Sequence, residues 1–159
     1  MKLIPLTKGL FAKVSNKDFK YLSQWKWYAH KSRDTFYAQR NISTGIKKQT
    51  TLIMHRVILM AADGQFVDHA DCDGLNNTRK NIRICSLSQN AKNRKHYKGS
   101  TSKYKGVHYF RKNRKWVAYV NSNKIRFHLG YFDNPEDAAK AYNFKAKELH
   151  GKFARLNNV

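Results

Sequence analysis

The sequence predicts an α+β protein in two parts, and three observations carry that reading. First, a short strand, a Gly-Asn-rich loop, a second strand and a helix follow one another from Phe66 to Arg94. Second, three strand candidates with turn-prone joints run into a strong helix near the C-terminus, the pattern of a three-stranded antiparallel sheet packed on one helix. Third, the composition shifts near residue 91: AKNRKHYKGSTSK has almost no apolar content and carries Gly-Ser-Thr-Ser near its end. That stretch reads as exposed and basic. The chain is therefore expected to divide into residues 1–94, a basic linker at 95–103, and residues 104–159.

The N-terminal part opens on two short strands, LIPL and LFAKV. SNKDFKYLSQW follows as a helix with Ser15 or Asn16 as its cap. KWYAH and FYAQRNI read as paired strands around KSRDT, and KKQTTLIMHRVILMAA passes from strand to helix. FVDH and NIRICS are the next strands, and SLSQNAKNR begins a helix with Ser86 or Ser88 as cap. Trp25, Trp27 and Tyr28 read as core residues, and His55 as a helix-start residue satisfied by backbone. In the C-terminal part GVHYF, WVAYVN and IRFHLGYF are joined by KNRK and SNK. The helix NPEDAAKAYNFKAKELHG then has Asn134 as cap, Pro135 at its first position, Glu136 and Asp137 at its positive end, and Gly151 to close it. Ala138, Ala141, Tyr142 and Leu149 share one face, small enough for close approach to the sheet.

Charge narrows the class of partner. The 159 residues include 32 Lys and Arg against 10 Asp and Glu, a formal net charge of +22, with 13% aromatics interspersed. A basic surface gains affinity for nucleic acid by releasing condensed counterions. A membrane partner is not expected, because no long apolar run or basic amphipathic helix is present. Cys72 and Cys85 form no CxxC pair, so no structural zinc site is expected, and their pairing is left open. MKLIPLTKGLF lacks the apolar core of a secretory signal, which leads to the expectation of a reduced, cytoplasmic protein.

Against that charge, Asp68, Asp71 and Asp73 crowd into VDHADCDGLNNTRKNIRICSLSQN, residues 67–90. A carboxylate beside a histidine, with an asparagine arriving from a later helix, suits metal-assisted phosphodiester cleavage. A hard divalent cation such as Mg2+ or Mn2+ takes oxygen ligands, here the Asp68 carboxylate and the Asn90 amide oxygen. Adjacent strand residues point to opposite sides, so His69 can face substrate as a neutral base. Asn76 and Asn77 suit bracing of the connecting loop, and Asp71 and Asp73 its shaping. Arg79 and Arg83 either hold a phosphate or neutralise the acidic loop.

This stretch resembles the HNH, or ββα-metal, endonuclease motif. MHRVILMAADGQ and the earlier IPLTKGLFAKV, WKWYAH and FYAQRN resemble the segments before it in phage and bacterial homing-type enzymes, so the likeness covers roughly residues 1–94. The resemblance implies Asp68 and Asn90 as metal ligands, His69 as general base, and the Asn76–Asn77 pair as the middle asparagine that orients loop and base. The family often has Asn or Asp-Gly where this chain has Asp71-Cys72-Asp73-Gly74, and Thr where Cys85 or Ser86 stands. Neither departure removes a proposed catalytic group, though Cys72 puts an oxidisable sulfur near the site.

The residues 104–157 resemble the plant Apetala-type, ethylene-response-factor DNA-binding domain through KGV, WVAYV, LGYF, EDAAKAY and the final LN. In that family a three-stranded sheet enters the major groove. The resemblance implies DNA contacts by Lys105, His108, Phe110, Lys112, Lys115, Asn121, Arg126 and His128. Arg126 is the leading candidate for a bidentate contact, and Lys105, Lys112 and Lys115 for phosphates. The plant proteins carry arginines or tryptophan where this chain has His108, Phe110, Lys112, Asn121 and His128, so their sequence preference does not transfer.

Together these readings lead to a metal-dependent endonuclease acting on double-stranded DNA, of homing type, with no obligate protein partner and acting as a monomer or weak dimer. One active site per chain predicts nicking. The rivals are a non-enzymatic DNA-binding regulator and an RNA-binding protein, since backbone affinity alone does not separate DNA from RNA.

Overall fold

Short alternating strands build the first half of the chain. In the computed structural model, which describes residues 1–43, 45, 49–96 and 99–159, β1 (Lys2–Pro5) and β2 (Phe11–Val14) pair antiparallel. Lys8 and Gly9 both take positive φ in the turn between them. Alternation turns Ile4, Ala12 and Val14 inward, where they are fully buried. In α1 (Asn16–Leu22) the cap residue Ser15 makes no side-chain cap bond. Its Oγ instead accepts the backbone N–H of Arg79 at 2.9 Å, a long-range use that the local sequence does not announce.

Trp27 is buried and its indole N–H donates to the Leu22 carbonyl at 2.9 Å. Trp25 is only half-buried, with the Arg40 guanidinium 4.1 Å from its ring centre. Tyr28 is not a core residue: its hydroxyl bonds the Asn41 side chain on the polar face of the next sheet. That sheet is antiparallel, with β3 (Tyr28–Ser32), β4 (Thr35–Ser43) and β5 (Gln49–Ile53) in order. The expected strand start at Lys47 and Lys48 lies outside the described residues. α2 (Met54–Leu59) follows β5 directly and contributes Met54 and Ile58 to a core with Val14, Leu22, Trp27 and Ile82.

The segment expected as strand, loop, strand, helix contains one more element. β6 (Phe66–His69), β7 (Asn76–Asn77) and β8 (Ile82–Cys85) precede α3 (Leu87–Lys92). β6 and β8 pair antiparallel, setting Asp68 opposite Arg83 and His69 opposite Ile82. β7 joins β2 in parallel register, Lys13 with Asn76 and Val14 with Asn77. Two residues are too short for any periodicity, so the sequence reads them as loop. Ser86 caps α3: its Oγ accepts from Gln89 N–H, and Gln89 Oε1 accepts from Ser86 N–H, a reciprocal capping box.

The residues fall into two compact units, Met1–Asn90 and Ala91–Val159. In the second, Thr101 and Ser102, expected within the linker, accept backbone N–H bonds from Tyr109 and Tyr104, and Ser102 is buried. Tyr97 and Lys98 of that stretch lie outside the described residues. β9 (Val107–Phe110), β10 (Lys115–Ser122) and β11 (Ile125–Phe132) form an antiparallel sheet with β10 central. α4 (Pro135–His150) packs on it, with Asn134 Oδ1 accepting from Asp137 N–H at 2.8 Å and Gly151 closing it at φ 52. The buried helix face is Ala138, Ala139, Tyr142, Ala146 and His150. It differs from the expected face by gaining Ala139, Ala146 and His150, while Ala141 and Leu149 stay half-buried.

Gly106 shows how tight this packing is. It takes φ +74, and a Cβ there would overlap both the Tyr142 ring and the Tyr119 carbonyl. Gly106→Ala is thus expected to destabilise the second unit by more than the about 1 kcal/mol of an ordinary left-handed penalty, read as an early melting transition by calorimetry.

Candidate functional site

The first unit gathers its polar residues around His69. Its side chain is buried, and Nε2 lies 3.3 Å from Asn77 Oδ1. Asn77 is fully buried, and its amide nitrogen donates to the Leu75 carbonyl at 3.2 Å. That bond fixes the amide orientation, so the oxygen faces the imidazole. An amide oxygen only accepts, so Nε2 carries the proton of the neutral ring and Nδ1 is left with the lone pair. Burial holds the His69 pKa below its ordinary value, while the Asn77 bond and the carboxylates of Asp71, Asp68 and Asp73 pull the other way.

The expected Asn76–Asn77 pair divides its labour. Asn77 meets the imidazole, whereas Asn76 Nδ2 donates to Asp71 Oδ2 at 2.6 Å. Asn81, which the sequence did not single out, ties the loop further: Nδ2 donates to Asp71 Oδ1 and to the Asn76 carbonyl, both at 2.8 Å, and Oδ1 accepts from Asp71 N–H. Burial opposes the Asp71 charge, yet bonds from Asp73 N–H, Asn76 and Asn81 outweigh it and hold its pKa below the usual carboxylate range. Asp73 Oδ1 accepts from Leu75 N–H. Both acids therefore shape the loop. Gly74 lets it lie against β4: any Cβ there would strike the Phe36 carbonyl and Tyr37 ring.

Asp68 is buried on β6 and accepts two bonds at Oδ2 from Arg83, from Nε at 2.9 Å and Nη2 at 2.6 Å. Arg79 is engaged elsewhere. Its Nε donates to both oxygens of Asp18 at 3.0 Å, and its Nη2 to Oδ1 at 2.9 Å. Of the two alternatives for these arginines, Arg79 thus neutralises a carboxylate of α1 rather than the acidic loop, and Arg83 sits on Asp68 itself. Asn90 lies half-buried on α3, one element after the strand that carries Arg83. No group of three or more His, Cys, Asp or Glu side chains stands together among the described residues. A carboxylate and an amide oxygen suit a hard cation that draws the rest of its shell from water and phosphate. Neither Cys72 nor Cys85 takes part in a disulfide.

Two further side chains close the site. His55, at the start of α2, lies edge to face on His69 with ring centres 4.9 Å apart, and Tyr37 lies 5.5 Å from His55 and 5.8 Å from His69. The expectation that backbone satisfies His55 is wrong: its Nδ1 is buried without a hydrogen-bond partner. Burial, then the neighbouring His69 and Arg56, push its pKa down to about 3. A histidine protonated near 6.5 when unfolded but only near 3 when folded removes stability as pH falls through 6.5, at up to roughly 1.4 kcal/mol per pH unit. His55→Phe cannot take that proton and loses the orphaned nitrogen. Its melting temperature is expected to match or exceed the parent at pH 7 and to fall less steeply between pH 6.5 and 4.5. An equal slope would count against this account.

In the second unit, the sheet face opposite α4 carries a continuous run of rings. His108 and Tyr119 stack at 5.1 Å and 6°, Tyr119 meets His128 and His128 meets Tyr131 at 5.1 Å, and Phe110 meets Tyr131 at 6.1 Å. The Arg126 guanidinium lies 5.4 Å from the Tyr119 ring and donates to Asn121 Oδ1 at 3.3 Å. Five expected contact residues thus share this face: His108, Phe110, Asn121, Arg126 and His128. Tyr119 and Tyr131 join them and were not foreseen as contacts. Lys112 is exposed in the turn before β10. Two expected phosphate lysines are held within the unit: Lys105 Nζ donates to the Lys92 and Arg94 carbonyls, and Lys115 pairs with Asp133. No helix among the described residues is long and apolar enough to cross a membrane.

Comparison with known proteins bears on this arrangement. The chain is 34% identical over 158 residues to an uncharacterized HNH endonuclease of Acanthamoeba polyphaga mimivirus, covering 96% of this chain and 77% of that one. It is 32% identical over 93 residues to Protein 3.8 of Escherichia phage T7, covering 58% of this chain and 76% of the phage protein. No family model matches the chain.

Proposed function

The chain belongs to the HNH endonuclease family, and on that premise we propose that it is a metal-dependent endonuclease cutting phosphodiester bonds in double-stranded DNA. The observation that carries this reading is the buried His69, its pKa lowered by burial and its ring oriented by Asn77, beside a buried carboxylate. With Nε2–H engaged by Asn77, His69 Nδ1 accepts the proton of the attacking water. Asp68 and Asn90 would hold a divalent cation, Mg2+ or Mn2+, as the ββα-metal resemblance implies. When bound, the cation stabilises charge on the scissile phosphate and the departing oxygen. Asp71, Asn76 and Asn81 keep the loop rigid, so that Asn77 returns beneath the imidazole.

The second unit, residues 104–159 with the stretch before it, is the DNA-binding module, of the Apetala type. Its sheet face presents Arg126, Asn121, His108 and His128 to the major groove, where each base pair shows a distinct donor–acceptor pattern. Lys112 supplies phosphate contact from the adjoining turn. Lys105 and Lys115 contribute to the positive field, each tied to its own neighbours.

Supercoiled plasmid tests the central claim. With Mg2+ or Mn2+ the protein is expected to convert it to the nicked circle, and with chelator it is expected to bind without cutting. No nicking in either metal, on plasmid the protein demonstrably binds, would sink the proposal.

A further inference from the structure

Arg83 occupies the carboxylate that the proposed mechanism gives to a cation. It stands directly across the β6–β8 ladder from Asp68, and two of its N–H groups converge on one oxygen, Oδ2. Both side chains are largely buried, at 20% and 6% exposure. A buried carboxylate without a partner is strongly unfavourable, so a counter-cation favours its charged form. Before metal arrives, that cation is the guanidinium. The Arg79–Asp18 pair is chemically similar but plays no such part: it joins α1 to the loop after β7 and involves no proposed ligand.

We propose that Arg83 is a resident counter-cation, which holds Asp68 until a divalent ion replaces it and then turns its fork to the scissile phosphate. The inference rests on the reading of Asp68 as a metal ligand. Its physical basis is competition. Metal and guanidinium draw on one carboxylate, and its Oδ2 already accepts two charge-assisted bonds from Arg83. A displaced guanidinium is not wasted, because its planar donors match a phosphate as well as a carboxylate. Arg83 then has opposite effects on two quantities: it weakens metal binding in the free protein and strengthens cutting in the complex.

The full-length protein, Arg83→Gln, Arg83→Lys and Asp68→Asn would be titrated with Mn2+ alone, following free Mn2+ by electron paramagnetic resonance. Each would then be assayed for plasmid nicking at saturating metal. Arg83→Gln is expected to bind Mn2+ about tenfold more tightly or better, the scale of one charge-assisted hydrogen bond. It should also nick at least about tenfold more slowly. Arg83→Lys, which keeps a charge but loses the fork, should lie between parent and Arg83→Gln on both measures. It also serves as the folded control should Arg83→Gln melt early. Unchanged or weaker Mn2+ affinity in both Arg83 variants would overturn the inference, as would tighter binding with undiminished nicking. If Asp68→Asn binds Mn2+ as the parent does, or if no form binds it, the metal-ligand reading itself fails. Binding that depends on Asp68 but ignores Arg83 overturns only the counter-cation.

Discussion

His69→Ala is expected to lower the rate of plasmid nicking by about two to four orders of magnitude while leaving duplex binding within about threefold of the parent. The loss is large because one imidazole does three things. Burial holds its pKa below the ordinary histidine value. Its tautomer is set by Asn77. Its position is walled by His55 and Tyr37, at 4.9 and 5.8 Å. Alanine removes the base and opens a space beside two rings that water can fill. Single-turnover nicking, with binding measured on the same duplex by fluorescence anisotropy, separates the two quantities. A variant that cuts within tenfold of the parent would move the general base to another residue.

The second large effect concerns salt. With a net charge of +22, affinity for duplex DNA is expected to fall by about three to five decades between 50 and 200 mM salt, if six to ten phosphates are contacted. The count of basic residues overstates the number available, because several are committed within the fold. Arg79 lies on Asp18, Lys105 on two backbone carbonyls and Lys115 on Asp133. Lys112 and Arg126 remain exposed on or beside the aromatic face. Equilibrium titrations at several salt concentrations give the slope, and Lys112→Ala should reduce it by about one phosphate. A slope near zero would mean that the charge serves something other than a nucleic-acid backbone.

The order of elements was legible in the sequence because strands and helices there are marked locally. Asn134, Pro135 and Gly151 bracket the last helix, and the Ser86–Gln89 capping box opens the one before it. The acidic stretch was legible for a different reason. Scarce carboxylates beside a histidine in so basic a chain stand out by composition alone, and their spacing matches a known motif. Neither His55 nor Tyr37 carried such a signal. Each sits in an ordinary strand or helix pattern, and only tertiary packing brings their rings to His69. Asn81 carries no local signal either, and only its bonds to Asp71 and Asn76 give it a part in the loop.

What the sequence by itself determined is the inventory: a basic chain, a strand–loop–strand–helix segment holding Asp68, His69 and Asn90, and a sheet-and-helix module after it. Tertiary structure alone decided which partner each group meets. Asn77 rather than Asn76 reaches the imidazole because β7 pairs in parallel with β2. Arg83 rather than Arg79 reaches Asp68 because ladder register sets them opposite one another. His55 keeps an unpaired Nδ1 because it is buried where no donor or acceptor meets it. Local preferences act over a few residues and can be read along the chain. Hydrogen bonds, ion pairs and desolvation act through space, and they are fixed only when distant segments pack.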